Sequence, residues 1–241
     1  MKLRLKLILV GLSTVTLLAS AELAIQHFVV SPSFVLLEEN EARKDLTRCN
    51  QAIDREIHHL DVLCLDWSNW TDTYDYVQDI DVDAYEEANL VQAEWYEATN
   101  VGMMYIVRSD GTLAHTYLSG DESDDDGNLL PPEPTSNHDD LPRNQLPLDH
   151  PLLAVTDDAD SAVSGLLMTS RGPLLVASRP ILTSDSEGPR TGVMIIGRFL
   201  DDDQIQRLAD QTQVHFEVLD ASDKSPEATA LLAKAIPSNP A

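Results

Sequence analysis

Hydrophobic and polar positions change their period several times along this chain, and each change predicts an element. Apolar residues run almost unbroken from 7 to 18, behind the basic start MKLRLK. From 36 to 65 there is neither Gly nor Pro, and apolar residues recur at Ala42, Leu46, Cys49, Ile53, Ile57, Leu60, Cys64 and Trp67. Steps of four and three are the mark of one long amphipathic helix. Glu56 falls where an apolar residue is due and Ile57 takes its place, as a 3.6-residue repeat drifts. The stripe must bury against its own domain or against a second copy of itself. Residues 90–99 can form a short helix. Beyond them the pattern shortens to strands. VGMMYIVR (101–108) and TLAHTYL (112–118) flank the turn Ser109-Asp110-Gly111. A second hairpin spans 162–182, a long strand spans 191–200, and a further strand is expected at 214–219. DDDQIQRLADQT reads as a short helix whose first turn is capped and charged by Asp201 to Asp203. Between the hairpins, residues 119–149 are rich in Asp, Pro, Asn and Gly and lack periodicity. They read as a mobile surface loop, dispensable for folding.

The predicted fold class is therefore α+β: a long N-terminal helix plus an antiparallel sheet of about five strands, with helices packed on one face. Three segments follow. Residues 1–35 form an anchor or signal peptide with a short juxtamembrane piece, 36–220 form one folded domain, and 221–241 form a frayed tail. For the first segment two readings compete. Ala19-Ser20-Ala21 has the form of a signal-peptidase site. Alternatively, residues 7–30 are one membrane-spanning helix of about 20 residues, basic end inside. Glu22 and Gln26 argue for cleavage, and the helical pattern running on to Trp67 argues for an uncleaved anchor, the reading we prefer. Both export the remainder of the chain.

Charge narrows the function. With 41 Asp and Glu against 16 Lys and Arg, the formal net charge is −25 over 241 residues. Such a surface repels nucleic acid and anionic headgroups, so no nucleic-acid partner is expected. It attracts cations, or simply keeps the chain soluble in a salty medium. Two cysteines, Cys49 and Cys64, are too few for a disulfide framework or a zinc cluster. On one helix they lie about 22 Å apart and cannot bridge each other. Asp54, His58, His59 and Asp61 read as a solvated polar face rather than a metal cluster, because adjacent histidines point about 100° apart. DESDDDG lacks the register of a calcium loop. The glycosylation triplet Asn69-Trp70-Thr71 is discounted because it is read as helical. No nucleophile–base set, phosphate loop or metal motif emerges. The expectation is a protein that is not an enzyme, with no catalytic residues, no cofactor and no metal site.

DWSNWTDTYDYV (66–77) places four aromatics and three aspartates in twelve positions of a chain that is only 5% aromatic. On a helix, Trp67, Trp70 and Tyr74 follow i, i+3, i+7 and share one face. Two explanations stand. These rings cement the helix to the sheet, or they wall a ligand pocket with Asp66, Asp72 and Arg179 as polar contacts.

Taken in order, the landmarks resemble a known family. A helix with Glu39, Leu46 and Arg48 leads into Asp66-Trp67-x-x-Trp70-x-Asp72-Thr73-Tyr74-x-x-Val77. Asn89-Leu90, an IV-x-x-DG hairpin, HPLL, GLLMTSRGPLLVASRPIL and GVMIIGRFLD follow. Over about residues 36–220 this resembles the fourth type of CHASE domain, an extracytoplasmic sensor found on histidine kinases and diguanylate cyclases. Thr71 departs from the family, which tends to carry a second acid there. The resemblance implies a Cache- or PAS-like sensor fold in a membrane receptor of two-component type. It implies an unknown small ligand or environmental cue and a shift of the N-terminal helix, passed to a cytoplasmic output domain. It places the domain outside the inner membrane on a single N-terminal anchor, and the helix stripe suggests a homodimer. Family members continue into a second membrane helix and an output domain. Neither is present in this sequence, which is expected to be a sensory fragment or a truncated relative. The alternative is a secreted or anchored binding or scaffold protein without signalling output.

Overall fold

The structure, a computed structural model, describes residues 2–131, 140–216 and 218. The chain divides between Asn50 and Gln51 into two compact units. In the first lie α1 (Lys2–Ile25), a π-helical turn (Gln26–Val30) and the first turns of α2 (Ser31–Ser68). The apolar side chains of α1 are exposed, Leu9 at 56% and Leu17 at 71%. Its hydroxyls do not seek outside partners. Ser13 and Thr14 donate to the Val10 carbonyl (2.9 and 2.8 Å), Thr16 to Leu12 (2.9 Å) and Ser20 to Thr16 (2.8 Å). A helix surrounded by lipid must satisfy its polar groups internally in this way. By length and composition this segment can cross a membrane, a test that a signal sequence near an N-terminus also passes.

The second unit is built on an antiparallel sheet. Its strands are β1 (Met103–Arg108), β2 (Leu113–Leu118), β3 (Val163–Thr169), β4 (Gly172–Ile181) and β5 (Gly192–Phe199), in spatial order β2-β1-β5-β4-β3. Every residue of the central strand β5 is buried. At its start, a Cβ on Gly192 would sit 2.3 Å from the Val107 carbonyl oxygen, so only glycine lets β1 and β5 close there. The helices are the later turns of α2, then α3 (Thr71–Val77), α4 (Val82–Asn89), α5 (Ala93–Thr99) and α6 (Asp202–Thr212). The side chain of Asp201 accepts from the Gln204 amide at 2.8 Å and caps α6 as expected.

The α2 stripe buries against its own domain from Ala52 onward. Ala52, Leu60 and Cys64 are fully buried beside Met104, Ile106, Met194 and Ile196 of the sheet. Leu46, in the first unit, remains exposed. Glu56, the apparent flaw in the stripe, meets the buried Arg198 of β5, whose guanidinium also donates to the carbonyls of Thr99 and Asn100. Asp61 is likewise no part of a solvated face. It takes a two-point hydrogen bond from Arg179 of β4, both contacts 2.7 Å. An amphipathic helix crossing a sheet can carry charges inside its apolar stripe where the strands supply partners, and sequence periodicity cannot show those partners.

Two expectations need correction. Residues 119–149 are not simply a dispensable surface loop. Leu141 and Leu146, with Leu152 and Val155, cover the second face of the sheet against Met103, Tyr105, Val107 and Ile195. Asp121 also pairs with Arg143 through two contacts of 2.8 and 2.5 Å, with both side chains largely buried. A sheet whose central strand is apolar on both sides needs a cover on both sides, and here loop residues provide one. The further strand expected at 214–219 does not form over 214–216 or at 218, and the rest of that segment lies outside the described residues. So does the tail at 221–241. Among the described residues five strands are nonetheless present, because each hairpin forms in full.

Between helices and sheet runs a file of tyrosines. Tyr96 stacks on Tyr117 with ring centroids 3.8 Å apart, and its hydroxyl reaches the Leu90 carbonyl (3.1 Å) and His115 Nε2 (3.0 Å). Desolvation holds the His115 imidazole down at about 4, so it stays neutral in the fold. Between that value and the ordinary 6.5 the unfolded chain binds the extra proton. Stability therefore falls as pH drops from 6.5 towards 4 and levels off below. His115 is only partly buried and borders a cavity, so we expect a loss of about 1–2 kcal/mol. Urea midpoints measured across this window should fall less for His115→Gln than for the wild type, and parallel curves would refute the assignment.

Candidate functional site

The stretch 66–77 is not one helix. α2 ends at Ser68, and Trp70 takes an extended conformation (φ −127°, ψ 126°) before α3 begins at Thr71. The break is clasped by the connection between β4 and β5. Asn69 Nδ2 donates to Ser186 Oγ (3.0 Å), the Thr71 amide donates to Ser184 Oγ (3.0 Å), and the Ser184 amide returns a bond to Thr71 Oγ1 (3.1 Å). Short polar side chains that compete for backbone groups interrupt helices in this manner. The face shared by Trp67, Trp70 and Tyr74 on an unbroken helix therefore does not exist as such. The helical reason for discounting the triplet Asn69-Trp70-Thr71 also fails, although the Asn69 nitrogen is engaged.

The break turns Trp70 back towards Trp67, and the two rings meet edge-to-face at 6.1 Å and 81°. Trp95, from α5, closes on Trp67 at 4.9 Å and 65°. All three tryptophans of the chain thus line one cavity of about 600 Å³, within the range of small-molecule sites. Asp66, Asn69, Ala88, Asn89 and Gln92 complete its wall. The position of α5 is set by a short bridge, Leu129 N to Val91 O (2.7 Å) and Ala93 N to Gly127 O (3.0 Å). Trp70 is backed by Tyr85, which stacks on Tyr76 at 4.6 Å and shares a 2.7 Å hydrogen bond with Thr73.

Three of the six residues proposed from sequence, Asp66, Trp67 and Trp70, meet in this cavity. Asp72 borders an adjoining hollow of about 260 Å³ with Asp75, Asp81 and Tyr85. Tyr74 packs on the core edge beside Gly188. Arg179 lies outside both hollows, and its guanidinium, held charged by the bond to Asp61, also reaches the Ala159 carbonyl at 3.2 Å. Sequence reasoning missed Trp95, Asn89 and Gln92. Trp95 was the one that could have been found, as the third tryptophan of a chain that has only three.

Residues 52–219, more than half of the chain, match the model of the CHASE4 domain. The chain belongs to the CHASE4 domain family. It is 32% identical over 149 residues to the methanogenesis regulatory histidine kinase FilI of Methanothrix harundinacea (strain 6Ac). The match covers 60% of this chain, and the chain spans only 15% of that relative's length. Among solved structures it is similar to the extracellular domain of the histidine kinase vpHK1S-Z8, at 12% identity and a TM-score of 0.47, over 72% of this chain and 61% of the other. A CHASE4 domain is a sensory module, not itself a catalytic one. The cavity described above lies wholly within its matched residues.

Proposed function

We propose that this chain is the extracytoplasmic sensory part of a membrane signal-transduction receptor, and that a small molecule in the tryptophan-lined cavity is its signal. The cavity's position within the CHASE4 domain carries this reading. Trp67 stands in the last turn of α2, so an occupant bears directly on the helix on which signalling would depend. In this reading α1 is an uncleaved anchor in the cell membrane and the domain faces the periplasm or exterior. Two copies associate through the N-terminal helices, and displacement of α2 is handed to a cytoplasmic output domain. Spheroplasts treated with external protease test the topology. The domain should be cut while the chain resists carbonate extraction of the membranes. A soluble chain beginning at Glu22 would instead indicate a secreted binding protein and end the receptor reading.

A further inference from the structure

Resting on the reading of this cavity as the sensory site, we infer that its ligand carries a methylated ammonium group, boxed by Trp67, Trp70 and Trp95 and balanced by Asp66. The first argument is shape. A planar aromatic ligand needs parallel walls to slide between. Here the Trp67 plane stands at 81° to Trp70 and 65° to Trp95, so it meets each of them at a corner of a box rather than lying parallel to either. A compact, rounded group fills such a box, and the indole face is the best side-chain surface for a cation.

Charge supplies the second argument. Asp66 is the only ionisable side chain in the wall, which contains no Lys, Arg or His. The amides around it are biased the same way. Asn69 gives a hydrogen to Ser186, Asn89 gives one to the Tyr85 carbonyl (3.0 Å), and Gln92 gives one to Asn128 (2.7 Å). Their nitrogens are thus partly spent inside the protein. What the wall offers is one carboxylate and π-electron density, both suited to a positive guest and poor for a carboxylate or phosphate. A net charge of −25 draws cations towards the domain and turns anions away. A bare metal ion is a poorer candidate. Among the described residues no cluster of three His, Cys, Asp or Glu could hold one, and indole walls offer it no oxygen.

The tryptophans make the test direct, because the chain's entire indole emission comes from this cavity. Full-length protein in a maltoside detergent would be titrated with tetramethylammonium chloride, with choline, and with the neutral carbon isostere of choline. Sodium chloride would hold ionic strength constant. Saturable changes in emission are expected for both cations, with choline bound at least tenfold more tightly than its isostere. Asp66→Asn, a substitution at an exposed position, should weaken cation binding about tenfold without moving the melting temperature of the free protein. Trp95→Phe should weaken it several-fold. If the isostere binds as well as choline, or Asp66→Asn binds unchanged, the cation assignment falls while the sensory cavity stands. It falls in the same way if only neutral or anionic metabolites alter the emission. If no compound of any class alters emission or melting, the assignment and the sensory reading fall together.

Discussion

Replacing Asp61 by alanine is expected to cost about 3–5 kcal/mol of stability, although the sequence alone reads Asp61 as part of a solvated polar face. Its partner Arg179 is only 11% exposed and uses Nε and Nη2 on the two carboxylate oxygens. Arginine cannot shed its proton to escape burial, so the orphaned charge remains next to the buried Cys64 thiol. The companion experiment separates the value of the pair from the cost of breaking it. Asp61→Leu combined with Arg179→Met removes both charges and should recover most of the loss, because the desolvation penalty disappears with the attraction. Urea melts followed by tryptophan emission report on this directly, since all three tryptophans lie in the second unit. A loss below about 1 kcal/mol for Asp61→Ala would mean that the pair is solvated and behaves as a surface contact.

Tyr96→Ala should be about as costly, at ~3–5 kcal/mol, through emptied volume. The ring is fully buried between Trp95 (5.0 Å, edge-on) and Tyr117 (3.8 Å, stacked). Its neighbours His115 and Tyr117 sit on β2, which is paired with β1, so little collapse into the emptied space is expected. Tyr96→Phe keeps the volume but strips the hydroxyl from the Leu90 carbonyl and from His115, and a loss of about 1–3 kcal/mol is expected. If the phenylalanine variant is as unstable as the alanine variant, hydrogen bonding rather than packing holds this joint. If neither shifts the urea midpoint, the tyrosine file does not belong to the core.

Legibility in the sequence followed the range of the interactions. Hairpins such as 101–118 and the Asp201 cap depend on neighbours a few residues away, and pattern alone located them. α2 was equally plain, because its stripe repeats through many turns. What pattern could not show was pairing at long separation: Glu56 with Arg198, Asp61 with Arg179, and the 141–155 segment folded over the second sheet face. The site divides the same way. Asp66, Trp67 and Trp70 stood out as a dense local cluster, whereas Trp95 joins them only through the turns after Val77. Asp72 and Arg179 were nominated by charge type, and tertiary contacts sent them elsewhere. The break at Trp70 depends on serines more than a hundred residues downstream, which no local rule weighs.

That clasp also has a practical side for anyone producing the protein. In the secretory pathway of a eukaryotic host, Asn69-Trp70-Thr71 is met as an open chain, before Ser184 and Ser186 have arrived to close around it. A glycan attached there would take one of the two hydrogens on Asn69 Nδ2 and wedge a sugar between that nitrogen and Ser186. Material from yeast or insect cells would then carry a bulky substituent on the rim of the tryptophan cavity, and its silence towards ligands would be an artefact of the host. Production in bacteria, or an Asn69→Gln chain made alongside, keeps that error out of the binding measurements.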